Sequence, residues 1–237
     1  MKPYYEEDGI TIYHGDCREV LTSFPLASYL PIADLMCADP PYGLGASRFK
    51  FGGHGVKRHM TGLCAGKAVP KTDYGDDIWD DERCPQDLLE MCLRCAPQQI
   101  VWGGNYFELP KARCWLIWDK LRGDTDYADG EMAWTNLDRA VRIVRWRWNG
   151  FLQENQDAKE DRVHPTQKPL GVIKWALQQA EEWSTVLAPF MGSGTTLRAA
   201  KDLGRRAIGI EIEEKYCEIA AKRLSQKVFQ FDSPDKS

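Results

Sequence analysis

Asp39-Pro40-Pro41-Tyr42 sets a carboxylate, two consecutive prolines and an aromatic ring directly behind an apolar run, Ala33 to Ala38. Proline fixes φ and has no N–H, and a residue that precedes proline is pushed into an extended conformation. Asp39 and Pro40 are therefore held extended, and main-chain carbonyls are left free between a carboxylate and an aromatic face. That set of acceptors suits a planar amine, such as the exocyclic amino group of a nucleobase. The plainer alternative is a strand-ending turn with a cap-like Asp.

A second constellation lies near the other end of the chain. Phe190-Met191-Gly192-Ser193-Gly194-Thr195-Thr196 sits between a strand-like and a helix-like segment, and its glycines let the backbone turn tightly and approach a ligand. Glu211 ends the next apolar run, Ala207 to Ile210, nineteen residues beyond Gly192. In a strand-turn-helix-strand unit, that spacing brings a carboxylate to where ribose hydroxyls sit. The loop is shorter than a dinucleotide fingerprint and lacks the Lys of a phosphate-binding loop. Together these features predict an adenosine-type cofactor without a pyrophosphate.

The elements that must position these groups alternate along the chain. Strands are expected over Ile10 to Tyr13, Ala33 to Ala38, Gln99 to Trp102, Cys114 to Trp118, Val141 to Trp148, Thr185 to Leu187 and Ala207 to Ile210. Helices are expected from Cys17 to about Phe24 and over Pro85 to Cys95, Gly171 to Glu182, Gly194 to Leu203 and Glu213 to Leu224. The alternation predicts an α/β fold with a mostly parallel sheet. At 237 residues the chain fits one domain, and no internal repeat is visible. The polar stretch Gln153 to Arg162 reads as a loop, and residues 231–237 as a frayed tail.

Composition narrows the function classes. A hydrophobic fraction of 43% and a charged fraction of 28% are those of a soluble globular protein, and no apolar run reaches the length of a membrane span. Met1 to Gly9 is acidic and aromatic, unlike a secretory leader, and eight scattered Cys read as reduced thiols of a cytoplasmic protein. Cys92-x-x-Cys95, with Cys84 and Cys114 nearby, lacks paired knuckle spacing, and Cys92 and Cys95 share an apolar helix face with Leu88 and Leu89. Structural thiols are therefore preferred to zinc, and no metal site is expected.

A net charge of −4 means that nucleic acid must be held by local patches. Between Gly43 and Thr72 stand six cations (Arg48, Lys50, Lys57, Arg58, Lys67 and Lys71), two His and no acid, among seven Gly. This stretch reads as a mobile basic loop able to clamp phosphates beside the tetrapeptide, or as a merely solvated one. Arg142, Arg145 and Arg147 alternate with Val141, Ile143, Trp146 and Trp148 as if on a strand with one basic face. That face could meet DNA or simply be a solvated edge.

These motifs, in this order, resemble the amino-type DNA methyltransferases of the circularly permuted β group, which use S-adenosylmethionine. The resemblance rests on Gly15-Asp16, Asp39 to Tyr42, Trp102-Gly103-Gly104-Asn105, Trp115 to Lys120, His164-Pro165-Thr166-Gln167-Lys168-Pro169 and Phe190 to Thr196. It implies a Rossmann-like sheet with helices on both faces and a single methyltransferase domain over residues 1–237, with a small target-recognition region at about 122–162. It also implies that Asp39, Pro40, Pro41 and Tyr42 act on the amine, with Tyr42 stacking on a base flipped out of double-stranded DNA. Around the cofactor it implies Glu211 on the ribose and Asp16, followed by Cys17, on the adenine amino group. Phe190, Gly192, Ser193, Gly194, Thr195 and Thr196 would form the covering turn, with Asp39, His164, Thr166 and Lys168 towards the methionine end. One departure stands out: the family has Asp immediately before its Pro-Phe, where this chain has Ala188.

Adenine N6 is the expected target. Cytosine N4 is the rival, an RNA methyltransferase is a weaker one, and a catalytically weak nucleic-acid-binding module is the alternative from another class. Without a nuclease motif or extra domain, the chain resembles stand-alone methyltransferases, as found in phages, prophages and orphan bacterial systems, and restriction-modification is the broader setting expected. Because related enzymes often dimerise, a homodimer stays open.

Overall fold

The computed structural model describes residues 1–24, 31–44, 82–121, 128–149, 152–154, 160 and 167–225. Within them a nine-stranded sheet forms the centre of the molecule. In chain order its strands are β1 (Tyr5–Glu7), β2 (Ile10–His14), β3 (Leu35–Ala38), β4 (Gln98–Trp102), β5 (Trp115–Asp119), β6 (Gly130–Thr135), β7 (Arg142–Arg145), β10 (Thr185–Ala188) and β11 (Arg206–Glu211). A separate small hairpin joins β8 (Trp148–Asn149) to β9 (Leu152–Gln153). The helices are α1 (Cys17–Ser23), α2 (Gln86–Leu93), α3 (Leu170–Leu177), α4 (Thr195–Asp202) and α5 (Glu214–Ser225).

The spatial order is β1-β2-β11-β10-β3-β4-β6-β5-β7. Five central strands, β2-β11-β10-β3-β4, run parallel, while β6 is antiparallel to both β4 and β5. Ile10 to His14 pair in register with Ala207 to Glu211, so the first long strand of the chain lies beside the last. This adjacency is what a circular permutation of a Rossmann-like sheet requires. The expected α/β fold, mostly parallel sheet and permuted order are all present.

Helices cover both faces because the strands alternate. Leu35 and Cys37 of β3 join one core cluster with Val172, Ile173, Leu197 and Cys217 from α3, α4 and α5. Met36 and Ala38 join the other with Val20, Leu21, Leu88 and Leu89 from α1 and α2. A one-residue slip would exchange the two sets and leave the helices unmatched. Each fully buried Leu, Ile or Met contributes about 1.5–3 kcal/mol, so the register is strongly held.

Several expectations need correction. Strand β6 was not foreseen: Gly130-Glu131-Met132 carries no apolar alternation, and tertiary pairing between β4 and β5 makes it a strand. The expected strand Val141 to Trp148 ends at Arg145, and Trp148 belongs to the hairpin. Helix α3 stops at Leu177, where the Gln178 N–H is donated back to the Lys174 and Ala176 carbonyls. Cys84, Cys92, Cys95 and Cys114 are buried without a disulfide, and Cys92 lies on the buried face of α2 with Leu88 and Leu89. Among the described residues no group of His, Cys, Asp or Glu has the arrangement of a metal site, and no helix is long and apolar enough to cross a membrane. Most of the 43–72 loop and all of the 231–237 tail lie outside the described residues.

Candidate active site

A cavity of about 390 Å³ opens at the carboxyl ends of β2, β3, β4, β10 and β11, with Gly15, Asp39, Trp102, Phe190 and Glu211 on its wall. It lies where the strand order jumps, β10 being flanked by β11 on one side and β3 on the other. Parallel α/β sheets open their ligand crevice at such a switch point, because the loops after adjacent strands diverge to opposite faces.

The glycine turn and Glu211 form one end of the cavity. Glu211 Oε2 accepts the Gly192 N–H at 2.9 Å and Oε1 accepts the Glu213 N–H at 2.9 Å, which fixes the carboxylate plane. Burial holds its carboxyl above the ordinary value, opposed by those backbone hydrogen bonds. Each oxygen keeps a further lone pair for a hydroxyl donor. Gly194 has φ +80°, and a Cβ there would come within 2.8 Å of Ala220 Cβ, so the turn is shaped against α5. Arg223 of α5 braces the turn, donating to the Ser193 carbonyl at 2.6 Å and to Ser193 Oγ at 3.1 Å. Nothing in the sequence marked Arg223 beyond its place in the last turn of a helix. Cys17, Thr195 and Thr196 also line the cavity. Asp16 lines it as well, while its Oδ1 caps α1 by accepting the Arg18 N–H at 2.7 Å.

The tetrapeptide closes the other end. Pro41's carbonyl accepts the Cys84 N–H at 3.0 Å, so it is not a free acceptor as the sequence suggested. The acceptors remaining among the described residues are the Asp39 carboxylate and the Pro40 carbonyl. Tyr42 Oη donates to Asp39 Oδ1 at 2.5 Å and Lys168 Nζ donates to Asp39 Oδ2 at 2.5 Å. Lys168 Nζ is 3.3 Å from Tyr42 Oη and 5.8 Å from the ring centre, which places it beyond the hydroxyl and not over the ring face.

Behind Asp39 runs a row of charges. Lys168 is 5% exposed at its side chain and also reaches Glu131 Oε2 at 3.4 Å, while Lys120 Nζ sits 2.6 Å from Glu131 Oε1. Burial works against the Lys168 charge, but Asp39 and Glu131 outweigh it and raise the ammonium's pKa above its ordinary value. Burial also opposes the Glu131 charge, and the two lysines overcome it to bring that carboxyl down to about 2. The Tyr42 hydroxyl is pushed well above the usual phenol value, by burial first and then by the charges of Asp39 and Glu131, so it stays a donor.

Trp102-Gly103-Gly104 supports this end. Gly103 has φ +64°, and a Cβ there would fall 2.2 Å from Tyr42 Cε1. Tyr106 stacks on Tyr42 with ring centres 5.1 Å apart and planes 25° from parallel. Trp102 Nε1 is buried without a hydrogen-bond partner among the described residues.

The structure thus brings Asp39, Pro41, Asp16, Cys17, Lys168, Phe190, Gly192, Ser193, Thr195, Thr196 and Glu211 to one cavity. Lys168, expected at a methionine end, is placed on Asp39 and Glu131. His164, Thr166, Arg48, Lys50, Lys57, Arg58, Lys67 and Lys71 lie outside the described residues. Arg142, Arg145 and Arg147 are exposed, but Arg142 and Arg145 are three positions apart on β7 and point to opposite faces, so no single basic face forms. Both remain at the surface because β7 is an edge strand. Glu131 and Tyr106 carry no signal in the sequence that would single them out for this site, and Lys120, at the end of the Trp115 to Lys120 motif, carries none that names its partner.

Residues 110–222 match the DNA methylase family. The Type II methyltransferase M2.LlaDCHI of Lactococcus lactis subsp. cremoris is 42% identical over 274 aligned residues, covering 95% of this chain and 93% of that protein. The chain belongs to the amino-DNA methyltransferase family. The Type II methyltransferase M.HinfI of Haemophilus influenzae is 44% identical, with 91% of this DNA methylase and 68% of that protein covered. Among solved structures, PvuII DNA methyltransferase (cytosine-N4-specific) superposes with a TM-score of 0.56 at 14% identity, covering 97% of this chain and 91% of that one. The M1.HpyAVI-SAM complex gives 0.51 at 23% identity, covering 91% of this chain and all of its own. At such identities the two structures carry the fold of the methylase and not its target.

Proposed function

We infer that this chain methylates the exocyclic N6 of a flipped-out adenine in DNA, taking the methyl group from S-adenosylmethionine. The observation that carries the reading is that the Asp39 carboxylate and the Glu211-Gly192 end open on one cavity. An amine acceptor and an adenosine-type site are thereby set face to face.

The residues fit the cofactor. Glu211 offers lone pairs to ribose hydroxyls, Asp16 on the same wall offers an acceptor to an adenine amino group, and Phe190 offers an apolar cover. Gly192 and Ser193 bring main chain to the cavity wall, and Gly194 shapes the turn against α5. Ala188 ends β10 buried, so at that position the chain offers no carboxylate to an ammonium group. S-adenosylmethionine supplies, when bound, a methyl group on a sulfonium, an electrophile that needs no activation by metal.

The chain's own part is to sharpen the nucleophile. Adenine N6 is weak because its lone pair is delocalised into the ring. Hydrogen bonds from the amine to Asp39 and to the Pro40 carbonyl localise that pair toward the methyl group. The N–C bond then forms as the C–S bond breaks, and one proton leaves the amine, Asp39 being the acceptor in reach. Preorganised acceptors of this kind act without a covalent enzyme intermediate. Arg142, Arg145 and Arg147, with the basic residues between 43 and 72, would hold the phosphates.

Cytosine N4 is the second reading, since it presents the same amine geometry. In the family that the motifs resemble, Asp at the first tetrapeptide position, here Asp39, leans towards adenine and Ser towards cytosine. Incubation with unmethylated DNA and labelled cofactor, followed by digestion to nucleosides, should yield N6-methyladenine. N4-methylcytosine would overturn the base assignment alone, and no methylated nucleoside would overturn the activity.

A further inference from the structure

We propose that Glu131 is a positioning residue for methyl transfer, drawing the Lys168 ammonium off Asp39 as the target amine arrives. The inference rests on the methyl-transfer reading above and extends it to a strand that carries none of the recognised motifs.

The geometry is a lysine shared between two carboxylates. Lys168 Nζ lies 2.5 Å from Asp39 Oδ2 and 3.4 Å from Glu131 Oε2, and the side chain is 5% exposed. Water therefore cannot take over the ammonium if it leaves Asp39, and a buried charge left unpaired is strongly unfavourable. Glu131 is built to receive it. Its other oxygen is held by Lys120 at 2.6 Å, which fixes the carboxylate and leaves Oε2 facing Lys168. Asp39 is meanwhile held in place from its second oxygen by Tyr42 Oη at 2.5 Å.

Charge development on the amine favours this exchange. In the bound pose an N–H of the amine competes with Lys168 for Asp39 Oδ2. As the N–C bond forms and the C–S bond breaks, positive charge moves from sulfur to the amine nitrogen until the proton leaves. An ammonium on the same carboxylate opposes that charge. A short shift of Lys168 toward Glu131 frees Oδ2 and lowers the repulsion while keeping every buried charge paired. Glu131 touches neither the amine nor the methyl group and acts only through Lys168.

The test compares Glu131→Gln, Lys168→Met and the double variant by steady-state methylation of unmethylated DNA. Melting and calorimetric cofactor binding of each variant report folding. Methylation by the unaltered protein is measured first, because its absence would sink the functional reading and not this one. Glu131→Gln leaves Lys168 locked on Asp39, so kcat should fall about tenfold or more with cofactor affinity unchanged, a coupling typical of groups in one network. Adding Lys168→Met should then recover most of that loss, since Asp39 is no longer occupied. A merely structural Glu131 predicts a double variant at least as impaired as Glu131→Gln. That result, or a Glu131→Gln protein with undiminished kcat, overturns the proposal. If Glu131→Gln does not fold, Glu131→Asp with and without Lys168→Met carries the same comparison, because the charge is kept and only its reach is shortened.

Discussion

Gly103 lies against the ring of Tyr42 so closely that a methyl group on its α-carbon would sit 2.2 Å from Tyr42 Cε1. Gly103, after β4, is therefore part of the amine site: it makes the space in which the tetrapeptide's ring packs, with Tyr106 on the ring's face. Gly103→Ala meets both this clash and a φ of +64°. It should destabilise the fold by about 1–3 kcal/mol, as overpacking does, and lower turnover by displacing Tyr42 Oη from Asp39. Thermal unfolding and steady-state methylation check the two effects, and an alanine variant with normal turnover would refute the packing role.

Asp39→Ala removes the carboxylate acceptor while leaving β3 and its register intact. Turnover should drop by at least ~100-fold, the loss seen when one preorganised partner of a reacting group is deleted. Cofactor binding should show that the fold survives. Near-normal turnover in a folded variant would reject Asp39 as the amine acceptor.

Glu211→Ala strands the N–H groups of Gly192 and Glu213 and removes the ribose acceptor. Cofactor affinity should weaken by about ten- to hundredfold, the equivalent of losing charge-assisted hydrogen bonds. Calorimetric titration with S-adenosylmethionine measures it, and an unchanged Kd would place the ribose elsewhere.

Asp34 ties the starts of β3 and β10 together, its Oδ2 accepting from Ser184 N at 2.9 Å, Ser184 Oγ at 3.0 Å and Thr185 N at 2.9 Å. The backbone hydrogen bond from Ser184 leads the effects that lower its pKa. A carboxyl depressed on folding contributes stability above its unfolded value, about 3.9, and loses it as pH falls through the folded value. Asp34→Ala should therefore cost about 1 kcal/mol near neutral pH and little in acid, because the partly exposed donors of Ser184 can turn to water. Denaturant titrations at several pH values test this, and a pH-independent cost would contradict it.

Charge reversal at Arg142 and Arg145 probes the nucleic-acid surface. For every phosphate that the variant no longer neutralises, the salt dependence of DNA binding should flatten by roughly 0.9 log units per log unit of salt. Lys57 and Arg58, in the basic stretch, carry the same expectation. An unchanged slope at either pair removes it from the interface.

The two sets of motifs were legible in the sequence because local chemistry sets them. Proline restricts Asp39 and Pro40 whatever surrounds them, and the glycine turn with Glu211 nineteen residues on has the spacing of one strand-turn-helix-strand unit. Strand alternation with helices was likewise enough for a mostly parallel α/β sheet. Strand β6 was hidden, since Gly130-Glu131-Met132 becomes a strand only through hydrogen bonds to β4 and β5. The basic face expected of Arg142, Arg145 and Arg147 failed because Arg142 and Arg145, three positions apart on one strand, point to opposite sides of it. What only the tertiary structure decided is the wiring of Asp39. Lys168 lies 129 positions away in the chain, and Glu131 and Lys120 come from β6 and from the residue after β5. Sequence alone determines which residue types stand at each strand end. The order β10-β3-β4-β6-β5 determines which of those ends meet, because charge pairing in a buried site depends on distances that local preferences do not specify.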